Sequence, residues 1–153
     1  MYDLMIIGSG PAGISAALTA KARNLNFIWF GSRALSTKIE KAEKIMNYPG
    51  LPAVTGSEMQ SVFLKQIDDC GITITESQVN SIYDCGGYFA AGADNEIYEA
   101  KAVIMTVGMT TTREIEGEAR LLGCGVSYCA TCDGALYKNK DIAVICADRK
   151  SVV

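Results

Sequence analysis

"YDLMIIGSGPAGISAALTAKARN", residues 2 to 24, runs from an apolar stretch through a glycine turn into an alanine-rich stretch. Residues 2 to 8 read as a short buried strand. Residues 11 to 24 read as a helix with Pro11 in its first turn, where a missing N–H leaves no bond unmade. Between them, "GSGPAG" sets Gly8, Gly10 and Gly13 in GxGxxG spacing. The first glycine permits the tight turn, the second lets backbone approach a pyrophosphate, and the third lets helix and strand pack closely. Phosphate charge would then rest on exposed amides at the helix start, Ser9 to Gly13. A plain structural turn is the alternative. The strand before and the helix after supply the context that dinucleotide binding needs. A second apolar run, "NFIWF" at 26 to 30, completes a strand-helix-strand crossover. Its end reads Phe30-Gly31-Ser32-Arg33, with no Asp or Glu to hold a ribose hydroxyl, so Ser32 or a backbone group is expected to do so.

Further on, 31 to 56 reads as loop, with "NYPG" at 47 to 50 as a turn. The stretch "GSEMQSVFLKQIDDCG" reads as a helix with Ser57 as N-cap and Met59, Val62, Phe63 and Ile67 along one face. "ITIT", "QVNSIYD", "GYFAAG" and "EIYEA" read as short strands separated by turns, followed by the apolar strand "KAVIMTVG" at 101 to 108. "FAAGAD" at 89 to 94 reads as part of a hairpin with a Gly-Ala-Asp-Asn turn. Trp29 is expected in the core, and Cys70 and Cys85 at a helix end and a turn, as structural thiols. "KIEKAEK" at 38 to 44 reads as solvated mixed charge, with a basic patch for an acidic partner as the rival reading.

At 153 residues the chain is long enough for one real core and too short for two full ones. A net charge of -3 without a Lys/Arg block argues against nucleic acid as a partner. No basic leader precedes the first strand and no apolar run approaches the roughly 20 residues of a membrane span. The expectation is a cytoplasmic protein that does not enter a membrane. In a reducing compartment six cysteines do not imply a disulfide framework, so a CxxC there points to catalysis or metal binding. With no histidine in the chain, the usual general base and the commonest zinc ligand are missing.

"GVSYCATCDG", residues 125 to 134, holds that CxxC. Zinc would need Cys124 and Cys146 beside Cys129 and Cys132, a pattern lacking a second CxxC. An inert core pair fits poorly with the small, turn-forming residues around it. A redox pair explains most. A CxxC at a helix start lowers the pKa of its first thiol and suits thiol-disulfide exchange, with Asp133 placed to manage the proton. An upstream dinucleotide site gives such a dithiol a two-electron source if the dinucleotide is a flavin.

These motifs resemble the low-molecular-weight thioredoxin reductases. "MIIGSGPAGISAAL", "NYPG", "GVSYCATCDG" and "KDIAVI" follow in that family's order and spacing over essentially the whole chain. The resemblance implies FAD on Gly8, Ser9, Gly10, Pro11, Ala12 and Gly13, with Phe30, Gly31 and Ser32 at the end of the second strand. It sets Asn47 near the flavin ring, Val79 near the adenine, and Val107 and Gly108 in the loop after the last strand. It makes Cys132 the thiol facing the flavin, Cys129 the one that attacks the thioredoxin disulfide, and Asp133 the acid/base; no metal is implied. It also implies a homodimer.

Two departures bear on the electron donor. The family's second domain binds NADPH through a GxGxxA turn, and here those three positions are Cys146, Asp148 and Ser151. A side chain obstructs the turn and a carboxylate stands where pyrophosphate should approach. Thr106-Val107-Gly108 replaces the usual Ala-Thr-Gly. Both changes, with the "GSxxLSxK" look of 31 to 38, resemble the clostridial-type reductases that take electrons from ferredoxin.

The expected architecture is α/β: a Rossmann-like FAD-binding parallel sheet with an antiparallel hairpin insertion over residues 1–112, and the start of a second α/β domain bearing the dithiol over 113–153. The expected enzyme passes two electrons from reduced FAD through Cys129 and Cys132 to thioredoxin, with ferredoxin as donor and NADPH as the alternative. The resemblance makes the chain roughly half of such an enzyme. A non-catalytic flavin-binding or oligomerising piece is the reading from another class.

Overall fold

The computed structural model describes residues 1–40, 42–108, 116–121, 124–127 and 134–144. It divides into two compact units, Met1–Thr110 and Thr111–Val153. In the first, strand β1 (Tyr2–Ile7), helix α1 (Pro11–Ala22) and strand β2 (Phe27–Phe30) form the expected crossover, and β1 pairs parallel with β2. Helix α1 ends where Asn24 takes a left-handed φ of 54°, its N–H bonded to Lys21 and that of Leu25 to Ala20. This double bond closes the helix and turns the chain into β2.

A single helical turn, α2 (Thr37–Glu40), interrupts the stretch expected to be loop. Helix α3 (Gly56–Asp69) follows, but its N-cap is Thr55, not Ser57. Thr55 Oγ1 accepts from the Glu58 amide while the Glu58 carboxylate accepts from the Thr55 amide, a reciprocal capping box. Met59, Phe63 and Ile67 are buried as expected, whereas Val62, 44% exposed, lies off that face. The helix closes through Gly71, φ 60°, with the Ile72 amide bonded to Ile67 and both isoleucines buried.

"ITIT" does not form a strand of its own. Thr75 alone meets the sheet, in a parallel bridge to Phe30. β3 (Val79–Asp84) and β4 (Phe89–Ala93) pair antiparallel, and β4 turns into β5 (Glu96–Met105) through Asp94 and Asn95, with Gly92 and Ala93 still in the ladder. The two runs expected as separate strands, 96–100 and 101–108, are one: β5 pairs with β4 over its first half and with β1 over its second. Ala100 belongs to both pairings. The five-stranded sheet therefore has the order β2-β1-β5-β4-β3, parallel at one end and antiparallel at the other.

β1 reads as an unbroken apolar run because both its faces are covered. Leu4 and Ile6, with Trp29 of β2, pack on α1 and α3. Met5 and Ile7, with Ile28 and Phe30, pack on Ala91, Ala93 and Ala100 on the other face. Tyr98 of β5 meets Phe30 edge to face, ring centroids 5.0 Å apart.

Among its described residues, the second unit contains one helical turn, α4 (Glu118–Leu121), and a 3-10 turn at Gly134–Tyr137. Among the described residues no helix is long and apolar enough to cross a membrane.

Candidate functional site

The glycine turn joins β1 to α1 at the end of the parallel strands. Its three glycines answer to different constraints. Gly8 has φ +112°, and a side chain there would run into the backbone and hydroxyl of Thr106. A side chain on Gly13 would overlap the Gly8 carbonyl. Gly10 is different: its φ of -70° suits any residue, and a Cβ there would meet no protein atom within 4 Å. Nothing in the fold itself requires a glycine at that point. A pyrophosphate brought against the backbone does. The residues present therefore fit a dinucleotide.

The electrostatics agree. Helix α1 makes its first i→i−4 bond from Ile14 to Gly10, so the amides of Ala12 and Gly13 have no partner within the helix, and Pro11 brings no N–H. Those amides carry the positive end of the helix dipole, the usual seat for a phosphate. No acidic side chain lies in the first turn to compete.

Two side chains hold the turn in place. The Gly8 carbonyl accepts from the Trp29 indole Nε1 at 2.8 Å and from Thr106 Oγ1 at 3.0 Å. The same Thr106 hydroxyl reaches the Ile7 carbonyl at 2.9 Å. Trp29, 1% exposed, is core as expected, but its indole N–H also fixes the turn. The sequence marks neither of them as an anchor of the turn. Thr106 had a signal, a hydroxyl residue two before Gly108 at a strand end; Trp29 looked like any core aromatic.

The end of β2 is locked to the turn. Ser9 Oγ donates to the Leu35 carbonyl and accepts from the Ser32 amide, both at 3.0 Å. A Cβ on Gly31 would come within 2.5 Å of Ser9 Cβ. The Ser9 side chain is thus spent on the 31–35 loop, which it draws against the turn. Ser32 Oγ accepts from the Ala34 amide at 3.1 Å.

Gly8 to Gly13, Phe30 to Ser32 and Thr106 thus come together at one end of the sheet. Val107, exposed, and Gly108, φ +68°, continue directly from Thr106. Val79 starts β3 and packs against the cluster that contains Ile7 and Phe30. Asn47 lies exposed between the Ile45–Val54 bridge and the Tyr48–Leu51 turn, and Tyr48 stacks edge-on against Phe63 of α3. Cys129, Cys132 and Asp133 lie outside the described residues, as do Cys146, Asp148 and Ser151. Of the cysteines described, Cys70, Cys85 and Cys124 are exposed free thiols. No cluster of metal-ligating side chains occurs among the described residues.

The family described as pyridine nucleotide-disulphide oxidoreductase matches residues 2–153. The thioredoxin reductase of Bacillus subtilis is 32% identical over 146 residues, which are 95% of this chain and 46% of that protein. A solved ferredoxin-flavin thioredoxin reductase from Clostridium acetobutylicum is 48% identical with a TM-score of 0.71, covering 89% of this chain and 47% of that one. The thioredoxin reductase of Streptococcus pyogenes is 35% identical with a TM-score of 0.75, covering 90% of this chain and 45% of that one. The chain spans about half the length of the curated relatives it matches. With a glycine turn that fits a dinucleotide and a match from Tyr2 to its last residue, the chain belongs to the pyridine nucleotide-disulphide oxidoreductase family, whose thioredoxin reductase branch is FAD-binding.

Proposed function

We propose that this chain is the FAD-binding and dithiol-bearing part of a thioredoxin reductase-type flavoenzyme, acting on thioredoxin or a thioredoxin-like protein. The observation that carries this reading is Gly10, a glycine that neither its φ nor its protein neighbours require, at the start of a helix with open amides. Bound FAD supplies two electrons as a pair. The chain's part is to hold it: pyrophosphate on the Gly8–Gly13 turn, adenosine against Phe30, Gly31 and Ser32, with Asn47, Val79, Val107 and Gly108 completing the contacts.

The thiol chemistry falls to the CxxC at 129–132 and the acid that follows it. Cys129 thiolate attacks the partner disulfide and forms a mixed disulfide; Cys132 thiolate displaces the partner's thiolate and closes Cys129–Cys132. Asp133 manages the proton. Two electrons leave the dithiol for the partner, and Cys129–Cys132 is left as a disulfide that a bound flavin would reduce again. The working form is a cytoplasmic homodimer, a state that light scattering tests directly.

Ferredoxin is the donor in this proposal. Cys146, Asp148 and Ser151 at the three GxGxxA positions support it, as does 48% identity to a ferredoxin-flavin thioredoxin reductase against 35% and 32% to enzymes named simply thioredoxin reductase. NADPH is the second reading, favoured by the family description. An anaerobic visible spectrum of the purified protein, titrated with NADPH and then with reduced ferredoxin, decides. Bleaching of the flavin band by ferredoxin alone is expected; ready bleaching by NADPH overturns the donor assignment, and colourless protein overturns the flavin reading.

A further inference from the structure

The end of β2 lacks the carboxylate that a dinucleotide's adenosine ribose calls for, and at position 31 there is no room for one. Position 31 is pressed against Ser9, where even a Cβ comes within 2.5 Å of the serine Cβ. The neighbouring segment brings a carboxylate to the same level by another route. Thr75 runs beside β2, its amide donating to the Trp29 carbonyl at 2.7 Å and its carbonyl accepting from the Gly31 amide at 3.1 Å. The next residue is Glu76, and its Oε1 accepts from the Arg33 amide at 2.8 Å.

Glu76 is exposed, and among the described residues this is its one hydrogen bond. The guanidinium of Arg33 does not neutralise it. One nitrogen of that group reaches both oxygens of Asp68 at 3.0 Å, so the adjacent cation is committed to α3. Holding the Arg33 amide needs an acceptor, which any Asn, Gln or Ser would offer; it does not need a charge. A carboxylate with a second oxygen to spare, placed beside Gly31 and Ser32, is suited to accept from a ribose diol.

We propose that Glu76 holds the adenosine ribose hydroxyls of the bound dinucleotide, replacing from the adjacent segment the acid missing at the end of β2. The proposal rests on the FAD reading above. It makes Glu76 a binding residue whose contribution depends on the hydroxyls themselves.

The test compares FAD with an analogue lacking both hydroxyls of the adenosine ribose, binding each to the apoprotein by quenching of flavin fluorescence. The native protein is expected to prefer FAD by about tenfold to a hundredfold, the scale of a hydrogen bond to a charged group. In Glu76→Gln the affinity for FAD falls by that factor, the affinity for the analogue stays, and the preference disappears. Equal weakening of both flavins would make Glu76 a clamp on Arg33 alone and overturn the proposal. A preference that survives in the variant, or none in the native protein, overturns it as well, and the latter needs no variant at all. Native protein that binds neither flavin is a separate result, which removes the FAD reading itself.

Discussion

The carbonyl oxygen of Gly8 stands where a side chain on Gly13 would begin. That carbonyl cannot withdraw, because the Trp29 indole and the Thr106 hydroxyl both donate to it. The turn is therefore fixed from three strands at once: Gly8 follows β1, Trp29 lies on β2 and Thr106 follows β5. A turn held this way by its own chain would need little ordering to take a ligand.

The glycines should separate folding from binding. Gly13→Ala forces backbone apart and is expected to cost about 1–3 kcal/mol of stability, the range for overpacking a site that cannot relax. Gly10→Ser should leave stability within about 0.5 kcal/mol, since serine is a good N-cap and the space is open. It should nonetheless weaken FAD at least about tenfold by keeping the pyrophosphate off the backbone. Urea melts of both variants beside flavin titration check this; a Gly10→Ser protein that binds FAD normally would remove the main support for the site.

Helix α3 should depend on Thr55 and not on Ser57. Thr55→Ala removes the acceptor for the Glu58 amide and is expected to cost about 1 kcal/mol. Ser57→Ala should cost much less, since its hydroxyl caps nothing. Equal losses in the two variants would contradict the observed cap.

The frame of the candidate site was legible because its constraints are local: strand, glycine turn and helix follow one another within residues 2 to 24. The misreadings have physical causes. Ser57 with Gln60 imitates the same S/T-x-x-E/Q pattern as Thr55 with Glu58, but Gln60 instead donates to the carbonyls of Ala34 and Ser36. β5 was divided at Ala100 because its pattern changes there. The change marks a new pairing partner, not a turn, as the strand leaves β4 and joins β1. Glu76 was invisible, since its bond to Arg33 spans 43 residues and neither residue type announces it.

Acid should loosen the edge of β1. Asp3 donates no proton when ionised and accepts from Lys101 Nζ at 2.6 Å and from the Asn26 amide at 3.1 Å; these contacts hold its pKa below the usual aspartate value. A depressed folded pKa contributes stability above the unfolded value, and the contribution fades as pH falls through the folded one. The native protein should therefore out-melt Asp3→Asn at neutral pH, and the difference should close below about pH 4. The carboxyl is exposed, so salt should shrink the gap too. A gap that grows in acid would reverse the assignment.

The last prediction concerns the bend in β5. Phe30 pairs with Ile7, and Ile7 with Met105, whereas Tyr98 lies beyond the other end of β1, past the Tyr2–Ala100 pair. Seven residues of straight strand would carry Tyr98 roughly 23 Å from Met105 at about 3.3 Å per residue. The rings of Phe30 and Tyr98 are nevertheless 5.0 Å apart, so β5 coils and folds the hairpins over the buried face of β2. Tyr98 also donates to Glu96 at 2.6 Å, and that bond to a carboxylate raises its phenol pKa. Ring contact and phenol bond can be separated. Tyr98→Phe keeps the ring and should cost less than about 0.5 kcal/mol, as exposed hydrogen-bonded pairs do. Tyr98→Leu and Phe30→Leu should each cost more, and in the double variant their effects should fall short of the sum by about 0.5–1.5 kcal/mol, the usual coupling of an edge-to-face pair. Strict additivity in urea melts would mean that the coil of β5 is set by its backbone pairings alone.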